Sequence, residues 1–279
     1  MWYNDYVETK SHMTQICGGK KMITYYHEHK NDERTFFSSS EEVGANEDNA
    51  LYLGVELEVD RGGMSNDESD TVAAILGEDF VYFEEDGSLR NGFEIITEPA
   101  TLAYYKEHAQ DWEAVFKRLV KDGYRSHNTA TCGLHVHINR NFLSRNFQSE
   151  DSSLKSILAV FDKFWDNLVI FSRRTTTNLN RWANKYDKTP TEIVDDMHYG
   201  YVDRYHAVNV SNEPTIEFRL FKGTLNPESF FATLELIYSI VNWSTNHFEE
   251  EVASLTWEEL LNTETLVSYW ERVKNRVVR

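Results

Sequence analysis

In four stretches of this chain, charged and apolar positions alternate with a period of two. They are Gly54-Val-Glu-Leu-Glu-Val-Asp60, Asp86-Gly-Ser-Leu89 continued by Phe93-Glu-Ile-Ile-Thr-Glu98, Gly133-Leu-His-Val-His-Ile138, and Thr215-Ile-Glu-Phe-Arg-Leu-Phe221. Such alternation predicts half-buried strands, because successive side chains point to opposite faces. Glu56 with Glu58, His135 with His137, and Glu217 with Arg219 then share a face, while Val55, Leu57, Val59, Leu134, Val136, Ile138, Ile216, Phe218 and Leu220 lie opposite. One sheet would have a dry back and a charged front.

Elsewhere the apolar period lengthens to three and four, which predicts amphipathic helices. One stripe runs through Leu102, Tyr105, Ala109, Trp112, Phe116 and Leu119 and stops near Gly123; a second runs through Leu154, Ile157, Leu158, Phe161, Trp165 and Leu168. Asn226-Pro227 opens a third with a cap and a first-turn proline, continuing through Phe230, Leu234, Ile237, Tyr238 and Val241. Shorter helices are predicted at Asp70–Leu76, Trp257–Leu261 and Glu264–Lys274. Asn91-Gly92 is a turn signal, and a three-residue loop of Arg90, Asn91 and Gly92 would set Asp86, Glu94 and Glu98 on one face; a two-residue loop would separate them. The segments at 204–222 turn at Asn212-Glu-Pro214 and should pair antiparallel. The order of elements predicts an α+β fold, an antiparallel sheet covered on its apolar face by long helices.

Bulk properties narrow the setting. With 279 residues, 41% of them hydrophobic, the chain can bury a sizeable core. Residues 1–50 lack sustained periodicity and predict an N-terminal extension and linker; residues 51–279 form the domain. His12, Cys17, His27 and His29 in the extension lack the paired Cys-x-x-Cys of common zinc sites and are taken as surface residues. A net charge of −18 opposes nonspecific nucleic-acid binding. No apolar run approaches the roughly 18 residues of a membrane span, and the polar start is no secretory signal. The expected compartment is the cytoplasm, with Cys17 and Cys132 as free thiols.

If the strands share a sheet, Glu56, Glu58, Asp86, Glu94 and Glu217 converge on one concavity. Clustered carboxylates cannot all stay ionised without neutralisation, and divalent cations supply it. Oxygen ligands suit magnesium, and an imidazole among them keeps manganese or zinc open. Arg219 beside Glu217 adds a fixed cationic fork suited to phosphate, so the pattern points to phosphoryl chemistry.

In this order and spacing the segments resemble the amidoligase family, within the glutamine synthetase and glutamate-cysteine ligase superfamily of carboxylate-amine ligases. The carriers, between Leu51 and Trp243, are Gly54-Val-Glu-Leu-Glu58, Asp86-Gly-Ser-Leu89 with Gly92-Phe-Glu-Ile-Ile-Thr97, Cys132-Gly-Leu-His-Val-His137, and Thr215-Ile-Glu-Phe-Arg-Leu-Phe221 with Gly223-Thr-Leu-Asn226. The resemblance implies a funnel-shaped site on a curved antiparallel sheet, a half-barrel, with ATP entering one end and a carboxylate substrate the other. It implies Glu58, Asp86 and Glu94 as ligands of one metal, magnesium or manganese, and Glu56, His135 and Glu217 as ligands of a second. His137 and Arg219 would contact ATP phosphates; Arg173, Arg174, Arg181, Arg204 and Asn209 are further candidates for phosphate or substrate contacts, and Glu98, by its face alone, is a candidate proton acceptor. The implied reaction is ATP-dependent joining of a carboxylate to an amine through an acyl phosphate. The partners would be a small molecule, a peptide or a protein side chain. Alternative readings are a metal-dependent hydrolase, a nitrogen-phosphorylating kinase, or an inactive or regulatory interaction protein that keeps the fold.

Overall fold

The computed structural model describes residues 23–24, 34–127, 129, 131–145 and 147–276. Within it β1 (Tyr52–Val59) leads to α1 (Asn66–Leu76), β2 (Val81–Glu84), β3 (Phe93–Thr97), β4 (Ala100–Thr101), α2 (Leu102–Glu107), α3 (Ala109–Lys121) and β5 (Gly133–Asn139). Then follow α4 (Glu150–Lys163), α5 (Trp165–Ser172), α6 (Thr176–Trp182), α7 (Pro190–His198), β6 (Val208–Asn209), β7 (Thr215–Lys222), α8 (Pro227–Ser244), α9 (Trp257–Leu260) and α10 (Glu264–Val273). The strands form one antiparallel sheet in the order β2-β3-β1-β5-β7-β6, with β4 paired to the start of β1. This is the α+β architecture that the sequence predicts.

The alternation sorts the two faces of the sheet. Val55, Leu57, Val59, Leu134, Val136, Ile138, Ile216, Phe218 and Leu220 are each at most 1% exposed, and the helices cover them. Phe161 of α4 stacks on Phe218 at 5.6 Å, and Phe230 of α8 lies 4.6 Å from Trp112 of α3. Each such aromatic contributes a few kcal/mol, since truncating a buried Phe to Ala costs about 3–5 kcal/mol. Helix α8 begins as predicted, with the Asn226 side chain accepting from Ser229 N and Pro227 at the first helical position.

Several elements differ from the sequence expectation. The stripe from Leu102 to Leu119 breaks at His108 (φ −96°, ψ 21°), and that from Leu154 to Leu168 breaks at Phe164 (φ −100°, ψ 22°). The apolar period continues across both joints, so no pattern marks them. Helix α1 starts at Asn66 because Ser65 caps it, its hydroxyl accepting from Glu68 N at 3.2 Å.

The three-residue turn at Arg90–Gly92 does not form. β2 ends at Glu84 and β3 starts at Phe93, so residues 85–92 are loop and Asp86 lies outside the strand. Long-range bonds explain the difference: Asn91 N donates to Asp60 Oδ1 at 2.8 Å, and Gly63 N donates to Asn91 O at 3.0 Å. Gly92 then lies so near the end of β1 that a Cβ there would meet Val59 O at 1.9 Å. The signal residues dock on the β1–α1 loop instead of closing a hairpin.

Residues 34–50 lie against the domain. Phe37 exchanges backbone bonds with Pro99 and Thr101, and Phe36 packs on Tyr52 at 4.9 Å. His12, Cys17, His27 and His29 fall outside the described residues. Cys132 is free and buried, and burial pushes its thiol up to about 12. No helix among the described residues is long and apolar enough to cross a membrane.

Candidate active site

Strand register places the charged residues in rows across the front face. Glu84 of β2 is opposite Glu94 of β3, and Glu94 is opposite Glu58 of β1. Three carboxylates thus stand abreast, an arrangement that like-charge repulsion disfavours. In the neighbouring rows Glu56 is opposite His135, and His137 is opposite Glu217, which faces Asn209 of β6.

Among the described residues, two groups of side chains have donor atoms within 4.8 Å of one another: Glu56, His135 and Glu217, and Glu58, Glu94 and His135. Each could hold one cation. His135 belongs to both because its ring spans them. Its Nδ1 is 3.2 Å from Glu56 Oε2 and 3.5 Å from Glu217 Oε1. Its Nε2 lies over Gly133, where an added Cβ would come within 2.7 Å, and the Gly133 N–H donates to Glu58 Oε2. Gly133 leaves the space that lets the imidazole reach across.

The groups differ in charge compensation. Burial pushes Glu56 up, but His137, whose Nε2 is 3.0 Å from Glu56 Oε1, and His135 outweigh it and hold the carboxyl well below its ordinary value. Glu217 is likewise lowered despite burial, chiefly by His137 and Arg219; Arg219 Nη1 bonds its Oε1, and Asn209 Nδ2 donates to its Oε2 at 2.7 Å. His137 is raised, since Glu56 and Glu217 overcome its burial, and its Nδ1 is 3.0 Å from Thr215 Oγ1. Across the sheet the balance reverses. Burial raises Glu58, and burial with Glu56, Glu58, Asp86 and Glu84 raises Glu94 well above its ordinary value.

A cleft of about 1030 Å³ opens over this face, lined among others by Glu56, Glu84, Glu94, His137, Glu217 and Arg219. That is at the upper end of ordinary ligand sites. Asp86 sits in the loop with its Oδ1 accepting from Ser88 N at 2.6 Å, yet it is near enough to raise Glu58 and Glu94. Glu98 pairs with Arg34 at 3.5 Å, outside the cleft lining and four residues beyond Glu94, about 13 Å along the chain. Arg204 lines the cleft. Arg174 is buried behind Arg219, its Nη1 donating to Arg219 O, and burial lowers it to about 10. Arg181 lies over the Trp182 ring at 4.5 Å, and neither it nor Arg173 lines the cleft. Sequence reasoning missed Glu84; the alternation of Val81-Tyr-Phe-Glu84 carries it, but only the register shows that it faces Glu94.

A family model described as "Putative amidoligase enzyme" matches residues 64–241, more than half of the chain. The chain belongs to this amidoligase family, whose description points to an enzyme that forms amide bonds. The match takes in Glu84, Glu94, His135, His137, Glu217 and Arg219 and leaves out β1, which carries Glu56 and Glu58. No curated protein matches the chain.

Proposed function

We propose that the protein is an ATP- and divalent-metal-dependent carboxylate-amine ligase that forms its amide bond through an acyl phosphate. The observation that carries this reading is the meeting of two acid-histidine groups, sharing His135, beneath a cleft lined by Arg219 and His137. The donors fit magnesium or manganese, being carboxylate oxygens with a single imidazole. Moreover, burial and neighbouring carboxylates raise Glu58 and Glu94, a crowding of acids that a divalent cation would offset. Zinc fits less well, since no thiolate among the described residues joins either group.

An ionised carboxylate is a poor electrophile, and transfer of the ATP γ-phosphoryl group gives it a leaving group that an amine can displace. The chain's task is positioning and charge stabilisation. A divalent cation bound at either group would neutralise phosphate oxygens and polarise the transferred phosphorus. Arg219, held by Glu217, keeps a guanidinium fork at the cleft floor, where it offers N–H donors to the phosphoryl oxygens. His137, whose protonated form Glu56 and Glu217 favour, is a second phosphate donor in this scheme. Arg204 at the cleft wall and Arg174 behind Arg219 would add positive charge. The cleft volume suits a nucleotide and a second substrate together, the latter a small molecule, peptide or protein side chain. A cytoplasmic setting fits both the ATP requirement and the free Cys132 thiol.

The test is incubation of the purified full chain with ATP, magnesium and a panel of carboxylates and amines. ADP release together with a condensed mass is expected, and both should vanish in Glu217→Ala and His135→Ala. Turnover that survives both substitutions, or ATP that fails to bind the wild type, would sink the assignment.

A further inference from the structure

Arg140 opens the 3-10 turn Arg140–Leu143 that follows β5, and its side chain is 13% exposed. It reaches to the turn between β6 and β7. Its Nη2 donates to Val210 O at 2.6 Å, its Nε donates to Asn212 O at 2.9 Å, and its Nη1 pairs with Glu150 at the start of α4. The N–H groups of a planar guanidinium have set directions, so both carbonyls are fixed together. Val210 O and the Ser211 N–H belong to one trans peptide and point opposite ways. Holding that carbonyl on Arg140 therefore aims the Ser211 N–H to the far side, where it donates to Asn209 Oδ1 at 2.9 Å. Ser211 Oγ donates to the same oxygen at 2.7 Å.

With Oδ1 engaged twice, one orientation of the Asn209 amide matches donors to acceptors. In it Nδ2 donates to Glu217 Oε2 at 2.7 Å, and Asn212 Nδ2 approaches the same oxygen at 3.4 Å. The other Glu217 oxygen, Oε1, is left to Arg219 Nη1 and to His135 Nδ1, 3.5 Å away. Fastening the turn to α4 would need only the pair with Glu150; the two carbonyl bonds connect Arg140 to Asn209 through one peptide. We propose that Arg140 is a positioning residue: by clamping the Val210–Asn212 turn it locks the Asn209 amide on Glu217 and so selects which Glu217 oxygen faces His135. Asn209, expected as a phosphate or substrate contact, acts in this scheme through Glu217. That the selected oxygen then meets a cation rests on the ligase reading, whereas the orientation of Glu217 does not.

Two readouts on the full chain keep these apart. In metal-free protein, nuclear magnetic resonance follows hydrogen exchange of the Asn209 side-chain amide, identified by its loss in Asn209→Asp. Arg140→Met should quicken that exchange at least about tenfold. Arg140→Lys, which can hold one carbonyl but not both, should fall between, and Glu150→Gln, which keeps an acceptor for Nη1, should match the wild type. Should Arg140→Met fold poorly, Ser211→Ala removes one donor to Asn209 Oδ1 and should quicken the same exchange. The second readout is manganese affinity in a Glu94→Gln background, where the Glu56, His135 and Glu217 group remains. Arg140→Met should weaken it at least about tenfold, and Glu150→Gln should leave it unchanged. Wild-type exchange in Arg140→Met, or equal effects of Arg140→Met and Glu150→Gln, would overturn the clamp. Manganese affinity unchanged by Arg140→Met would overturn its role at the site even if exchange quickens. Manganese that fails to bind the Glu94→Gln background would count against the ligase reading, and exchange alone would then decide the clamp.

Discussion

The two acid-histidine groups share His135 but solve the problem of buried charge in opposite ways. At Glu56 and Glu217 the protein supplies its own cations, His137 and Arg219, and the carboxyls are held low. Around Glu58 and Glu94 a third carboxylate, Glu84, stands in the same row; His135, the Gly133 N–H and Arg174 draw Glu58 down, but burial and the neighbouring carboxylates prevail and both carboxyls are raised. Under the proposed reading both groups take a cation, the first with part of its acid charge already answered by the chain and the second with more left for the cation to answer. The difference teaches that the acids of a single sheet face can be tuned separately by what stands one strand away.

The largest effect on this contrast should come from removing a built-in cation. Arg219→Ala leaves Glu217 buried and partly unanswered, and removing one partner of a buried pair costs about 3–5 kcal/mol. Denaturant unfolding should report a loss of that size, and ATP turnover should fall with it; a loss under about 1 kcal/mol would mean that Asn209 alone suffices.

Disturbing the other group's scaffold comes next. Gly92→Ala forces a Cβ against Val59 O and should cost about 1–3 kcal/mol through the β1–β3 junction, read as a lower melting temperature. An unchanged melting temperature would contradict the close approach that displaces the expected hairpin turn.

Removing a raised acid should act with the opposite sign. The protonated form of Glu94 favours folding, so its contribution is complete below the ordinary value of 4.5 and is lost as pH rises through its elevated folded value. Metal-free wild type should therefore lose stability across that window, while Glu94→Gln should be flatter and more stable by about 1 kcal/mol at neutral pH. Glu56 and Glu217, both lowered, contribute stability that is present above the ordinary value and lost on acidification through their lower folded values. Thermal melts from acid to mildly alkaline pH separate the two groups, and a wild type no steeper than Glu94→Gln would contradict the account.

The smallest effect sharpens the membership of the raised group. Glu84→Gln should weaken manganese binding more than Asp86→Asn, because Glu84 shares the strand row with Glu94 while Asp86 is bonded to Ser88 N in the loop. A larger effect from Asp86→Asn would return that corner to the loop residue.

How much could be read from the chain alone follows the same division. β1, β5 and β7 were legible because strict alternation left one arrangement with an aliphatic back, and Asn226-Pro227 marked α8 by local capping. Glu84 was not legible, because its register depends on Asp60 holding Asn91, a contact between residues 31 apart. Likewise the breaks at His108 and Phe164 leave the apolar period intact, so only packing reveals them. The wall supplied by Arg34 and Phe36 was hidden too, since residues 34–37 show no period and find their place by pairing with Pro99 and Thr101.

Manganese binding in the presence of a nonhydrolysable ATP analogue, followed by electron paramagnetic resonance on the full chain, tests the two-group account most directly. The account predicts two coupled manganese ions per chain. Glu94→Gln should abolish the coupling and leave one ion, and His135→Ala should perturb both. A stoichiometry unchanged by Glu94→Gln and His135→Ala, or no bound manganese in the wild type, would contradict it.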